Sequence, residues 1–298
     1  MEPFSFAGFE KPRELAFDWN VSTEEYRADE RLNFHKLLDF RRDPRAFRDG
    51  YFENKEETDA MRFGTALHAL ILRGREAFDA EIAAFDPPVN PKTGEPFGAA
   101  TNAFKEARAA FESANVGKTL ITKAERDLIE KMRDEANFHP VAPRVLGRAD
   151  WARSEVPVRG EINLADGTTY PVKGMIDRYS ENGLIELKTT AQFDDGTGRD
   201  KFRYTIYDYK YLVQLAFYHC ILTDCYGAPF VPAWIVAFEK NPPNRVAVYA
   251  ISAQVITDAR VVAKEWVKSY KESLENNSYP SRYDLIQTIS EYKAERDL

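Results

Sequence analysis

Three charged residues in the middle of the chain have the types and the spacing to act together on one substrate. Asp177 lies five residues before Asn182-Gly183, and Glu186 and Lys188 lie three and five residues after that pair. An Asn-Gly pair between two short apolar runs predicts a β-hairpin. Alternate residues of a strand share a face, and residues opposite each other on paired strands lie roughly 5 Å apart. The three side chains should therefore meet on one face of this hairpin.

Such a cluster favours the chemistry of phosphodiester cleavage. Two carboxylates and an ammonium group are costly to bury unless they are paired or bind a ligand. Carboxylate oxygens are preferred ligands of hard divalent cations, and the ammonium group of Lys188 could stabilise an anionic phosphate or a metal-bound hydroxide. The alternative is that these side chains are solvated at strand ends, which the spacing taken alone favours. The surrounding motifs decide between the two interpretations.

The rest of the sequence predicts the elements that hold this hairpin. Apolar periodicity indicates helices over residues 59–74, 101–114, 122–137, 205–225, 253–277 and 31–49, the last as far as Asp43-Pro44. The helix at 122–137 opens with Thr122 and Glu125 in a capping box. Short apolar runs indicate strands over 155–165, 168–179, 184–189, 232–239 and 245–251. Residues 86–98 and 191–204 are predicted to be loops, the first because closely spaced prolines exclude a helix or a central strand.

Three motifs in this order resemble a known group of nucleases. The segments Gly-Met-Ile-Asp177-Arg and Ile-Glu186-Leu-Lys188-Thr-Thr resemble the core of the PD-(D/E)XK nuclease superfamily. Upstream, the helix from Met61 to Leu72, with Gly64 and His68, is similar to the histidine-bearing helix of the RecE-like exonucleases, the group of exodeoxyribonuclease VIII. Downstream, Tyr211-Leu-Val-Gln214-Leu-Ala-Phe-Tyr218 is similar to the Gln-x3-Tyr helix of the same group.

The opening of the chain adds a further similarity and one departure. Ser22-Thr-Glu-Glu-Tyr26, followed by Leu37-Leu38, resembles the first segment of the family, so the resemblance runs from about residue 20 to about residue 270. Family members commonly have Ser-Pro where this chain has Asp43-Pro44. A substrate contact from that serine is therefore not expected here, although the turn-forming proline is kept.

The resemblance implies the fold class α/β (α+β), with a PD-(D/E)XK restriction-endonuclease-like core of order αβββαβ and an N-terminal helical elaboration. The predicted order of helix, three-strand meander, helix and strand agrees with that core. We expect a single nuclease domain over residues 1–298. Within it, residues 1–58 should form an N-terminal helical segment, 86–140 a helical insertion and 279–298 a C-terminal tail.

The resemblance also implies which residues surround a metal. Asp177 and Glu186 are expected to hold it, together with the backbone carbonyl of Leu187. A further carboxylate could come from the first strand, where Glu155 fits the strand-opening acid of the family better than Glu161 does. The expected cofactor is Mg²⁺, with Mn²⁺ as a substitute.

The two motif helices are expected to complete the site. The resemblance places His68 beside the metal, and Gly64, four residues earlier, should let that helix face approach a neighbouring strand; the alternative is a histidine packed in the core. Lys188 is expected to orient the attacking water and to stabilise the developing charge. Gln214 should position Lys188 or the scissile phosphate, with Tyr218 as a further catalytic residue. The alternative for this helix is simple packing on the sheet.

The net charge of −7 does not exclude DNA binding, because affinity for phosphates depends on local basic clusters. The best candidate is residues 199–210, where Arg199, Lys201, Arg203 and Lys210 alternate with aromatic residues that could stack on bases. Further clusters lie at residues 41–48 and 144–153. For each cluster the alternative is a solvated surface.

Composition favours an intracellular chain without a membrane segment. No run approaches the roughly 20 apolar residues of a membrane span, and the N-terminus lacks the pattern of a signal peptide. The two cysteines suit a reducing compartment and cannot supply the four ligands of an iron–sulfur cluster. We expect a location in the cytoplasm of a bacterial or phage-infected cell.

These expectations combine into one functional hypothesis. The resemblance implies a metal-dependent exodeoxyribonuclease that degrades the 5′-ended strand of linear double-stranded DNA and leaves 3′ overhangs for annealing. It further implies a ring-shaped homo-oligomer and a single-strand annealing protein as partner. One alternative is an endonuclease or a single-strand nuclease on the same scaffold. The other is a non-catalytic DNA-binding module, which the presence of all three charged residues argues against.

Overall fold

The computed structural model describes residues 21–53, 57–147, 149–194 and 196–281, together with residues 12, 14, 15, 17, 283 and 284. Most of residues 1–20, in the predicted N-terminal helical segment, therefore lie outside the described residues. So do most of residues 282–298, in the predicted C-terminal tail. Arg148, part of the basic cluster at 144–153, also lies outside them. Among the described residues, no helix is long and apolar enough to cross a membrane.

The described part of the chain begins with a mainly helical half and continues with a large sheet. The first half contains α1 (Thr23–Ala28), α2 (Phe34–Arg42), α3 (Pro44–Arg48), α4 (Asp59–His68), a π-helical turn (Ala69–Arg73), α5 (Gly74–Glu81), β1 (Ile82–Phe85), α6 (Asn102–Ala114), β2 (Thr119–Thr122), α7 (Lys123–Phe138) and α8 (Ala142–Leu146). The second half contains β3 (Arg153–Asn163), β4 (Thr169–Ser180), β5 (Gly183–Thr190), α9 (Lys201–Asp208), α10 (Tyr211–Tyr226), β6 (Ala233–Glu239), β7 (Val246–Ile251) and α11 (Ala253–Glu275).

The five strands of the second half form one mixed sheet in the order β3-β4-β5-β6-β7. The first three strands are an antiparallel meander, β5 and β6 are parallel, and β7 pairs antiparallel with β6. The parallel pair requires a crossover, which α9 and α10 provide. This is the predicted order of a three-strand meander, a helical crossover and a further strand.

Helices cover both faces of the sheet, and this explains the composition of its central strand. All seven residues of β6 are buried, as expected for a strand with both faces covered. On one face the sheet packs against α2, α10 and α11, and α10 is buried over Val213–Leu222. On the other face Ile185 and Leu187 pack with residues of α4 and α7. The alternation in β5 therefore places Glu186 and Lys188 together on the face toward α10; the hairpin pattern predicted that the two side chains share a face.

The predicted turn is present, and its glycine is required. Gly183 has φ +110°, a conformation that side chains disfavour, and a Cβ atom there would lie 2.1 Å from the carbonyl oxygen of Pro232. The same carbonyl accepts a hydrogen bond from the Leu184 N–H. Gly183 thus joins the hairpin to the segment that leads into β6, and no other residue fits there.

Three local predictions differ from the structure. The predicted loop at 191–204 contains the start of α9, which Asp200 caps, and the predicted helix at 205–225 is divided because Lys210 adopts a left-handed conformation with φ 61°. The predicted helical insertion at 86–140 contains β2, which pairs in parallel with β1. These two strands have four residues each, too few to show a strand period in the sequence.

Candidate active site

One open cavity of about 650 Å³ collects most of the residues that the sequence singled out. It lies between α4, the first three strands of the sheet, α2 and the start of α10. The predicted site residues that line it are His68, Glu155, Asp177, Glu186, Leu187, Lys188, Gln214 and Tyr218. The four basic residues predicted to bind DNA line other parts of the surface.

The cavity opens where two strands separate. Hydrogen-bonded pairing of β4 with β5 ends at Arg178 and Ile185, while β4 continues to pair with β3. At the next position, the Oδ2 atom of Asp177 accepts a hydrogen bond of 2.8 Å from the backbone N–H of Leu187. The Asp177 carboxylate thus takes the place of a backbone acceptor on β4 and satisfies the Leu187 N–H. The same hydrogen bond holds the Asp177 side chain beside Glu186.

A hydrogen-bond network fixes the remaining two charged residues. The Oε1 atom of Glu186 accepts from Lys188 Nζ at 2.7 Å and from Gln214 Nε2 at 2.8 Å. The same amide nitrogen donates to the Tyr218 hydroxyl at 3.2 Å. The structure therefore places the Gln214 amide against Glu186, on the same oxygen that Lys188 contacts, and its predicted positioning of Lys188 or the scissile phosphate stays a prediction. Lys188 also lies over the ring of Tyr211, with Nζ 4.7 Å from the ring centroid.

Burial perturbs the protonation of this cluster. It raises the pKa of Asp177 to about 6, although Lys188 acts in the opposite direction. Burial also raises the pKa of Glu186 to about 7, and the negative charge of Asp177 adds to the rise. For Lys188 burial lowers the pKa, but attraction to the two carboxylates outweighs it, so the net shift is upward. Lys188 therefore carries its proton at neutral pH. Ionisation of Asp177 and of Glu186 is unfavourable because both carboxyl groups are buried, and for Glu186 also because Asp177 is close.

His68 stands at the edge of the same cluster. Its Nδ1 atom is 3.6 Å from Oδ1 of Asp177, and its side chain keeps 26% of its exposure. Burial, followed by the positive charge of Lys188, lowers the pKa of His68, so the ring is neutral at neutral pH. A neutral imidazole is the form that binds metals. The Leu187 backbone also lies against this ring, which brings the predicted carbonyl ligand to the same place.

The structure distinguishes between the two acids of β3. Glu155 lines the cavity opposite Asp177 and has φ +49°, a strained conformation for a residue other than glycine. Its Oε2 atom is 3.0 Å from Arg73 Nε, in the π-helical turn that follows His68. Glu161 is exposed near the far end of β3, where it accepts a hydrogen bond from Thr169. Only Glu155 is placed to join the site.

Two glycines line the cavity, and they differ in the room that each leaves for a side chain. The helix face of Gly64 reaches β4 at His68, 3.6 Å from Asp177, but glycine is not needed for this approach: a Cβ atom at Gly64 would meet nothing within 4 Å, because Gly64 borders the open cavity. Gly174 is the opposite case, since a Cβ atom there would lie 2.7 Å from Cε1 of Tyr218. The missing side chain on β4 is what lets Tyr218 reach the Gln214 amide.

The donors around the cavity suit a divalent cation, although they are not preassembled. In the described part of the chain, no three His, Cys, Asp or Glu side chains converge closely enough to hold a metal as they stand. However, Oε2 of Glu186 is buried without a hydrogen-bond partner. Positive charge at this atom would also relieve the repulsion between Glu186 and Asp177. Two carboxylates and a neutral imidazole are therefore the groups here that would hold a metal.

The predicted DNA-binding cluster is divided into separate regions. Arg199 and Arg203 line a hollow with Tyr204 and Tyr207, and Asp200 lies among them. Lys201 is exposed and lines neither this hollow nor the catalytic cavity. Lys210 lies in another groove, because its left-handed conformation ends α9 and turns the chain into α10. Arg199 and Arg203 therefore line one hollow and Lys210 another, and the contact of the four residues with DNA stays a prediction.

Two cavity residues were not identified from the sequence. Tyr211 supports Lys188, and its spacing of three from Gln214 and seven from Tyr218 indicates a shared helix face. Tyr26 lies at the other wall, where the buried Lys173 ammonium is 4.5 Å from its ring centroid and also donates to its carbonyl oxygen. No spacing signal connects Tyr26 with Lys173, which are distant in sequence.

Comparisons with known proteins agree with this architecture. Residues 34–292 match the model of a protein family described as a PDDEXK-like domain of unknown function (DUF3799). A crystal structure of a candidate exonuclease from Eubacterium rectale aligns with a TM-score of 0.54 and 13% identity, over 91% of this chain and 96% of that chain. The structure of SSO0001 aligns with a TM-score of 0.26 and 20% identity, over 59% of this chain and 72% of that chain, which is too low to carry an argument. No curated protein sequence matches.

The family match and the first structural likeness confirm the predicted PD-(D/E)XK fold, with its mixed sheet and flanking helices. They support a nuclease, a class whose PD-(D/E)XK members generally use divalent metals. They do not separate RecE-like exonucleases from other members, so that narrower assignment stays a prediction.

Proposed function

Because this chain belongs to the family of PDDEXK-like domains (DUF3799), we propose that it is a metal-dependent nuclease that hydrolyses DNA at the cavity around Asp177, Glu186 and Lys188. The fold places these side chains at the point where β4 leaves β5. They are the residues that the sequence pattern predicted to act together.

One observation carries this proposal: the buried acid pair faces an open cavity and is incompletely satisfied. Glu186 and Asp177 are only 3% and 8% exposed, and Oε2 of Glu186 has no hydrogen-bond partner. An unpaired buried polar atom destabilises a fold unless a ligand satisfies it. The contrast is Glu239 at the end of β6, whose two carboxylate oxygens both accept hydrogen bonds from Arg245. Glu239 is a structural acid, whereas Glu186 is arranged for a ligand.

The residues divide the chemistry of hydrolysis among them. A water oxygen must bond to phosphorus while the bond from phosphorus to the leaving sugar oxygen breaks. A divalent cation held by Asp177 and Glu186, with neutral His68 beside them, would supply positive charge against the phosphate and lower the pKa of a bound water. Lys188 stays protonated and stabilises the charge that develops on the phosphate oxygens. Gln214 keeps the Glu186 carboxylate in place as a positioning residue.

The narrower proposal is exonucleolytic degradation of the 5′-ended strand of linear double-stranded DNA, with Mg²⁺ as the metal. Its support is the resemblance of the helices that carry His68, Gln214 and Tyr218 to those of RecE-like enzymes, together with the meeting of these residues around one cavity. A ring-shaped homo-oligomer, a single-strand annealing partner and a cytoplasmic location belong to the same proposal. So does the organisation as one nuclease domain with an insertion at 86–140 and a C-terminal tail.

The test is digestion of a duplex that carries a distinguishable label at each 5′ and each 3′ end, with and without Mg²⁺. Early release of the 5′ labels, with the 3′ labels retained on long strands, is the expected result. A covalently closed circle of the same sequence is the control and should resist. Cleavage of the closed circle would identify an endonuclease, and preference for unpaired DNA would identify a single-strand nuclease.

A further inference from the structure

A second groove lies beside the catalytic cavity, and the hydrolysis described above makes no use of it. Its volume is about 400 Å³. Its walls come from α2, from α11 and from the junction between α9 and α10. We call it the side groove, defined by Leu38, Arg41, Arg42, Asp208, Tyr209, Lys210 and Trp266.

The side groove and the catalytic cavity share one wall along α2. His35, in the first turn of this helix, lines the catalytic cavity, while Leu38 and Arg42 line the side groove. These positions are three and seven residues apart and therefore share one helix face. At a rise of 1.5 Å per residue, the distance along the helix from His35 to Arg42 is about 11 Å.

The opposite wall is also continuous. Tyr211 lines the catalytic cavity beneath Lys188, and Tyr209 lines the side groove. Their ring centroids are 5.8 Å apart with an interplanar angle of 32°. The left-handed conformation of Lys210 between them is what brings both tyrosines to the same wall. A ligand that extends away from Lys188 can therefore pass from the ring of Tyr211 to the ring of Tyr209.

The side groove is cationic, and two of its cations are available. Arg41 and Lys210 make no salt bridge with a described residue, whereas Arg42 pairs with Asp39 at 2.9 Å. Asp208 is the one carboxylate in the described lining. Because Arg41 and Lys210 form no salt bridge with a described residue, their charges are available to the phosphates of a nucleic acid that extends from the catalytic cavity.

Aromatic surface accompanies this charge. Tyr209 is 61% exposed, and the partly exposed ring of Trp266 lies 5.4 Å from the guanidinium carbon of Arg41. Exposed rings beside cations bind unpaired bases by stacking and the backbone by charge. A duplex cannot use the rings in this way, because its bases are already stacked and paired. A protein helix would need a row of apolar side chains, whereas four of the seven lining residues are charged.

We propose that the side groove binds a single-stranded DNA segment that continues from the scissile phosphate. The length of about 11 Å along α2 limits this segment to a few nucleotides. Tyr209 and Trp266 stack on bases, while Arg41 and Lys210 contact phosphates. This inference rests on the proposed function for the position of the scissile phosphate, and its binding step can be measured without cleavage.

The experiment compares two triple variants with matched changes, both in a Glu186→Gln background that prevents cleavage. The groove variant is Arg41→Gln, Tyr209→Ala and Lys210→Asn, where asparagine tolerates the left-handed backbone. The control variant on α7 is Lys123→Asn, Arg133→Gln and Phe138→Ala, which removes the same number of cations and one exposed aromatic ring from a helix with no predicted contact to DNA. Binding of a fluorescent oligothymidylate of about twelve nucleotides is followed by anisotropy over a range of salt concentrations.

The groove variant should bind roughly tenfold or more weakly, since stacking and phosphate contacts are both lost. Its logarithmic salt slope should fall by about 1.4, which is two contacts at about 0.7 each for single strands. The control should stay within about twofold of the background protein. Lys210→Asn alone should lower the slope by about 0.7, and it provides the test if the triple variant fails to fold.

Two results would overturn the inference. One is an equal loss in both triple variants, which would place single-strand binding elsewhere. The other is unchanged binding in the groove variant, with or without a change of oligomeric state; a change of state would show that the groove is an interface between copies of the chain. A selective loss in the groove variant would support the inference even if the wild-type protein proved unable to cleave DNA, so the two proposals fail independently.

Discussion

Replacing Glu186 by glutamine should stabilise the metal-free protein above neutral pH. Burial raises the pKa of Glu186 from 4.5 to about 7, so ionisation inside the fold is unfavourable. At about 1.36 kcal/mol per pKa unit, this shift corresponds to about 3 kcal/mol. Glutamine has the shape of the protonated acid and still offers an oxygen to Gln214 and Lys188. The substitution should therefore recover most of that free energy, at the expense of a metal ligand.

The pH dependence of this gain has a definite sign. As pH rises from 4.5 to about 7, the unfolded carboxyl group ionises while the folded one keeps its proton, so the free energy of unfolding of the wild type falls. Below this window both states are protonated, and the Gln variant should gain nothing. Above it, the gain should be complete. Asp177→Asn should behave in the same way between pH 3.8 and about 6.

Glu239→Gln is the matched control, because Glu239 is also a buried glutamate on a neighbouring strand. Hydrogen bonds from Arg245 lower the pKa of Glu239 to about 2, so its ionised form stabilises the fold. This stabilisation is present above pH 4.5 and is lost as pH falls through about 2. The control variant should therefore be less stable than the wild type at pH 8, by about 2 kcal/mol.

Urea denaturation from pH 4 to pH 8.5 in the presence of a chelator measures both effects. The reasoning predicts that Glu186→Gln and Glu239→Gln shift stability in opposite directions at pH 8. A Glu186→Gln protein that is no more stable than the wild type at pH 8 would refute it. So would a gain of equal size at pH 4 and pH 8, because the effect would then not come from ionisation.

Three further predictions concern the metal, His68 and the packing of Tyr218. Mg²⁺ at a hundred times its dissociation constant should raise the wild-type free energy of unfolding by about 2.7 kcal/mol, and Asp177→Asn should abolish this rise in the same denaturation assay. His68→Gln should lower cleavage on the order of tenfold without changing the unfolding midpoint in chelator; a lower midpoint with normal turnover would identify a core histidine. Gly174→Ala should destabilise by about 1–3 kcal/mol, because the new methyl group meets Tyr218 at 2.7 Å, whereas Gly64→Ala should not destabilise the fold.

The parts of the site that short-range patterns determine could be predicted from the sequence. Asn182-Gly183 requires a tight turn, and the period of two in β5 then places Glu186 and Lys188 on one face. The distance of Asp177 from the same turn brings it opposite Glu186. These relations depend on neighbouring residues and backbone geometry, so the tertiary fold does not change them.

The parts that the sequence did not predict depend on long-range packing or on single backbone angles. β4 separates from β5 at Asp177 while it keeps its pairing with β3, and no local pattern in the hairpin indicates this. The support of Lys188 by Tyr211 exists only once α10 docks on the sheet. The break between α9 and α10 results from one left-handed residue, Lys210, which is not a glycine and so gives no turn signal.

The most direct test of the central claim is release of acid-soluble nucleotides from linear duplex DNA in Mg²⁺. The wild type and Glu161→Gln, which alters an acid of β3 outside the cavity, should both release nucleotides. Asp177→Asn and Lys188→Met, measured as folded proteins, should each abolish release, as should a chelator added to the wild type. Turnover close to that of the wild type in either variant, or release that persists in chelator, would contradict the assignment of this cavity as a metal-dependent nuclease site.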